Sequence, residues 1–149
     1  MAAVQKWKVG TQTSLLTTGL NSLANNALAI SGAFDNTQTT GAGAGYTLCD
    51  VELVATYGSA PTANTAVAVW FLGSQDGTNY EDGDASITPA RMPDVVFPVR
   101  AVTTAQRIIR RAWLPWGLLK ALLKNDGTGQ AMAASNNTLK VRPVTAESA

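Results

Sequence analysis

The sequence predicts an all-β chain, a single β-sandwich with jelly-roll-like connectivity and seven or eight short strands. Three observations carry this. Apolar residues alternate with period two over several segments, Gly, Pro and Asn clusters separate those segments, and no helical pattern of ordinary length occurs. At 149 residues the chain suits one domain around one core. The expected layout is an extended N-terminal arm over 1–26, the sandwich over 27–144 and a disordered tail over 145–149.

Taken in order, Val4 to Val9 reads as a short strand, either on an arm that packs elsewhere or in the domain's own sheet. LLTTGLNSLANNAL offers a brief helical turn, since Gly19 and Asn25-Asn26 weaken anything longer. Ala27 to Phe34 reads as a strand and TQTTGAGAGY as a flexible loop. Leu48 to Tyr57 gives the clearest alternation, with Cys49, Val51, Leu53, Ala55 and Tyr57 on the core side. Cys49 is then a buried small hydrophobe, not a reactive thiol.

Thr65 to Gly73 is apolar on both faces, as in a central strand whose outer side is covered. Trp70 on that outer side is an interface residue or lies under a loop of the same chain. Ser74 to Arg100, polar and passing through Pro89 and Pro93, reads as a long connection where the chain changes sheets. Asp94 to Val102 and Thr104 to Trp113 follow as strands. Leu118 to Lys124 looks helical by composition, but an isolated helix needs about 12–15 residues to be even marginal. A strand with Leu119, Ala121 and Leu123 inward is therefore predicted. Asn137 to Val144 closes the sandwich, with Leu139 and Val141 inward.

The chain has no histidine, which removes the commonest general base and metal ligand, so no enzyme is expected. Asp76, Glu81, Asp82 and Asp84 could in form do carboxylate-only glycosidase work, but they sit in a glycine-rich turn with no apolar pocket. DGTNYEDGD departs from the EF-hand order, and GAGAG opens no helix, so neither calcium nor a phosphate-bearing cofactor is expected. A net charge of +1 argues against nucleic acid. No run approaches the ~20 apolar residues of a membrane span, and the N-terminus lacks a signal-peptide pattern. A soluble protein made in the cytosol, with no membrane partner, is the expectation.

Charged residues make up only 14 % of the chain, against about 25–35 % for the surface of a free monomer. Part of the surface is therefore expected to be covered, by copies in a homo-oligomer (trimer first, dimer second) or by another partner. Candidate contacts are Trp7, Leu15 and Leu16 on the arm, and Trp70 on the apolar strand. Arg107, Arg110 and Arg111 form either an ion-paired strand face or a docking patch for an acidic protein surface. Trp113 and Trp116, flanking Leu114-Pro115, form a stacking platform or plug the end of the sandwich.

DGTNYEDG from Asp76, the PARMPD segment from Pro89, Leu114-Pro115, the KALLKN strand from Lys120 and Asn137-Thr138-Leu139 together resemble small virion structural proteins of tailed bacteriophages, of the kind that decorate or cement the capsid. The resemblance spans Val51 to Val144, and Trp116 stands where a second proline is expected. It implies a non-enzymatic β-sandwich on the capsid surface that binds the major capsid protein, commonly as an oligomer at symmetry positions. The alternative is a glycan- or receptor-binding module of a phage tail, which an exposed aromatic cleft would favour.

Overall fold

The computed structural model describes residues 4–37 and 45–148. Their strands are β1 (Gln5–Val9), β2 (Thr13–Leu16), β3 (Leu28–Ile30), β4 (Phe34–Asn36), β5 (Leu48–Ala55), β6 (Thr65–Ser74), β7 (Val95–Val99), β8 (Gln106–Trp113), β9 (Gly117–Asp126) and β10 (Thr138–Ser148). The only helical piece among the described residues is a 3-10 turn, Thr18–Leu20. Two antiparallel five-stranded sheets form. Sheet A runs β1-β10-β5-β8 with β2 also on β10, and sheet B runs β3-β9-β6-β7 with β4 also on β9.

Between the sheets lies the alternation read from the sequence. Cys49, Val51, Leu53, Ala55 and Tyr57 meet Val67, Val69, Phe71, Phe97, Leu119, Ala121 and Leu123, all at most 1 % exposed. Burial pushes the Cys49 thiol up to about 12, in keeping with a core residue. The segment Leu118 to Lys124 is strand, and β6 pairs with it from Ala66↔Asp126 to Ser74↔Leu118. β6 is apolar on both faces, and pairing along it overrides the weak helix preference of this segment.

Several expectations are corrected. Within the expected arm over 1–26, the described residues 4–26 do not stand apart: β1 and β2 both pair with β10, and Leu16 and Leu20 are buried in the core. The tail is not disordered over its described part, because β10 continues to Ser148 along β1. Among the described residues ten strands replace seven or eight. Thr13–Leu16 adds β2, and Ala27 to Phe34 splits at Ser31-Gly32-Ala33 into β3 and β4, with Ser31 Oγ accepting from the Ala121 amide at the break. Ser74 to Arg100 does not carry the chain between sheets; it leaves β6 and returns as β7, its neighbour in sheet B. The loop expected over TQTTGAGAGY falls largely on 38–44, outside the described residues.

Buried carboxamides tie the connections to this frame. Asn125, fully buried, donates from Nδ2 to the carbonyls of Leu23, Ala24 and Gln130 and accepts at Oδ1 from Tyr57 and Thr128. Asn137 accepts from the Thr56 amide and donates to Ala133 and Ser135 carbonyls. Asn36 holds Tyr46 by both its amide and its carbonyl, and also donates to the Pro115 carbonyl. Each buried group stranded without a partner costs about 1–3 kcal/mol. Asn125→Ala is therefore expected to destabilise the protein by roughly 3 kcal/mol or more in urea unfolding. A loss under about 1 kcal/mol would contradict this role for the amide.

Candidate functional site

The outer face of sheet A gathers four of the residues that the sequence singles out. Opposed residues in a ladder share a face, so the register sets Val9, Val144, Leu48 and Trp113 in one row across four strands. Trp7, two positions from Val9, lies on the same face opposite Ala146. In the next row Asp50 stands between Arg111 and Arg142, whose Nε and Nη2 donate to its two oxygens at 2.9 and 3.0 Å. Beyond it come Ile109, Glu52 and Lys140, with Arg107 donating to Glu52 at 3.0 Å.

This face is net positive, since Arg107, Arg111, Lys140 and Arg142 stand against Asp50 and Glu52. Trp7, Ile109 and Trp113 remain 59, 53 and 74 % exposed, and the Arg111 guanidinium lies 5.7 Å from the Trp7 ring centroid. Exposed ion pairs contribute only about 0–1 kcal/mol each. Their effect here is to hold guanidinium groups in place beside exposed indoles. Trp and Arg are the residues that dominate binding energy when a partner covers them.

The remaining candidates divide. Leu16 and Trp70 are buried, and Leu15 packs against the core, so none of the three is free for a partner. Arg110 sits on the inward-facing register of the edge strand, opposite Val51, yet stays exposed there. Trp113 and Trp116 do not plug the sandwich; both are largely exposed, and Leu114 is the residue that turns inward. The chain crosses between sheets at Leu114-Pro115, which places Trp113 on sheet A and Trp116 at the start of β9 in sheet B.

Trp70 is covered by the long β6–β7 loop. Its Nε1 donates to the Arg91 carbonyl, and Ala68, Leu72 and Leu122 pack with it into a second apolar cluster outside sheet B. Gly83 is needed there, because a Cβ would come within 2.9 Å of Pro89 and 3.3 Å of Leu72 and Leu122. Past Val69 the β7 ladder ends, and side chains take over the β6 edge. Asp94 accepts from the Phe71 amide, and Arg91 donates to the Phe71 carbonyl while bonding both Glu81 oxygens and Asp94. The apolar outer face of β6 is thus closed within the chain and does not supply the self-association surface expected of it.

Where this loop leaves β6, a cleft of about 600 Å³ opens, lined by Gly73, Ser74, Gln75, Asp76, Asn79, Tyr80, Glu81 and Trp116. Asp76 organises its floor: Oδ1 accepts from the Thr78 and Asn79 amides and Oδ2 from Asn79 Nδ2, a side-chain-capped turn. Those bonds, the Asn79 amide first, hold the Asp76 carboxyl well below the usual range.

Neither surface could be assembled from the sequence. Val9, Leu48, Ile109, Arg142 and Val144 join the sheet A face only once register is known, and Gln75, Asn79 and Tyr80 join Trp116 only through the β6–β9 pairing. Outward alternation of Leu48 and Asp50 in β5 was the one legible signal. The chain matches no protein-family model, and no curated protein matches it significantly.

Acid tests the sheet A ion pairs. The Arg111 hydrogen bond, and then Arg142, hold the Asp50 carboxyl below its usual value against the opposing effect of burial. A folded-state value below the unfolded ~3.9 means stabilisation that is complete above that pH and is lost as pH falls through the folded value. Urea midpoints of the parent should therefore fall below about pH 4 more steeply than those of Asp50→Asn. Identical acid limbs would show that Asp50 is not linked to folding.

Proposed function

We propose that the protein is a non-enzymatic virion structural protein that binds the outside of a phage capsid and stabilises it, as a homo-oligomer, a trimer ahead of a dimer. The major capsid protein is the partner, and the capsid surface is the location. One observation carries this reading: sheet A presents a net positive strand face bearing the exposed Trp7, Ile109 and Trp113 and positioned arginines, with no other described segment folded over them.

Composition and topology add support. A chain without histidine, whose acidic turn is spent on its own hydrogen bonds, is better suited to binding than to catalysis. The order β1-β10-β5-β8 against β3-β9-β6-β7, with the two ends of the chain paired in one sheet, favours a jelly roll. Such a frame leaves no long unpaired terminus among the described residues and suits a component that must resist proteolysis. Repeated copies on a symmetric shell would add avidity to a modest single contact.

Trp7→Ala/Trp113→Ala removes two exposed side chains and should keep the melting behaviour of the parent. Its binding to undecorated particles should be weaker by about tenfold or more, the scale of losing interface tryptophans. Full decoration by the double variant would remove the sheet A face from the proposal. Parent protein that ignored capsids but bound host cells would replace it with the tail-module reading.

A further inference from the structure

We propose that the cleft between the β6–β7 turn and Trp116 is a saccharide-binding site, with the indole as stacking platform and the turn as the polar wall. This stands apart from the sheet A face and does not depend on where the protein sits in a particle. Trp116 is 70 % exposed, yet its surroundings are fixed. The carbonyl of Pro115 before it accepts from Asn36 Nδ2 at 2.8 Å. Gly45 lies against the indole edge so closely that a Cβ there would come within 3.0 Å of the ring and 2.8 Å of the Asn36 carbonyl. The backbone before Trp116 is therefore tied to Asn36, and the exposed indole lines the cleft.

The opposite wall is equally set. Asp76 caps the turn, Tyr80 pairs back to Ser74 in an isolated bridge, and Glu81 is locked by Arg91. The Lys120 ammonium lies 4.3 Å from the Tyr80 ring centroid and fixes that ring. Such a preformed site loses little freedom on binding. Among the described residues, the Gln75 carboxamide and Asn79 Oδ1 make no hydrogen bond within the protein, so donor and acceptor capacity remains beside the indole.

The ligand chemistry follows from this mixture. An apolar ligand would cover the Gln75 carboxamide and Asn79 Oδ1 without pairing them. A cation would have to displace hydrogen bonds that already occupy Asp76 and Glu81. A pyranose offers what both walls take, an apolar C–H face for the indole and hydroxyls for the carboxamides. The carboxylates in the lining favour neutral over acidic sugars.

Maltotriose, cellotriose, mannotriose and chitotriose serve as probes for the full-length protein, read by tryptophan fluorescence and by amide shifts at 74–81 and 116. At least one should give a saturable change in the millimolar range, with shifts confined to those positions. Affinity should fall by about tenfold or more in Trp116→Ala and in Gln75→Ala, whose side chain supports no part of the fold, and stay unchanged in Trp113→Ala. No saturable change with any of the four, or undiminished binding by both variants, overturns the assignment.

Discussion

A buried amide that makes all its hydrogen bonds can fix segments that no sheet ladder reaches, and the fold depends on Asn125 in this way. It sits at the end of β9, where the ladder with β6 stops, and reaches the segment after the 3-10 turn, the end of β5 and the 127–130 turn together. Its main chain continues the link, accepting from the Asn26 amide and donating to the Ala27 carbonyl. The N-terminal residues are thereby bound to both sheets. Asn137 and Asn36 repeat the device at two other connections, adding hydrogen bonds to the apolar anchors Met132 and Tyr46.

The same economy explains which surfaces are left over. Sheet B closes its own outer face with the β6–β7 loop, and Arg91 keeps that loop in place by bonding Glu81, Asp94 and the free β6 edge at once. Among the described residues, no loop covers the exposed Trp7, Ile109 and Trp113 of sheet A in this way. Its outer face keeps two exposed indoles and several paired arginines on rigid strands, while the aromatic cleft forms where the covering loop of sheet B begins. The chain thus carries a broad exposed face on one sheet and a cleft on the other.

Alternation, with apolar residues on both faces where a strand is fully buried, was enough to place β5, β6, β7 and β10. KALLK was read as strand on a different ground, that the segment is too short for an isolated helix. Alternation failed at the N-terminus, where TSLL is short and Leu15 and Leu16 are adjacent, so β2 looks like the start of a helical turn. The roles of the buried asparagines were not legible, since nothing in a sequence separates a solvated Asn from one that clamps three segments. Trp70 was ambiguous for a similar reason: its indole N–H is bonded by the Arg91 carbonyl, some twenty residues on. Candidate contacts depended on register, so Trp7, Arg107, Arg111 and Trp113 came together while Leu16 and Trp70 went inside.

The most direct measurement of the central claim is a cryo-EM map of the protein on its parent particle, at a resolution that orients the sandwich. Density should place β1, β10, β5 and β8 with their outer face against the capsid shell, Trp7 and Trp113 at the contact, and the Trp116 cleft facing away from it. Density that turned sheet A to solvent and seated the β6–β7 loop on the shell, or that found the protein on the tail, would contradict it.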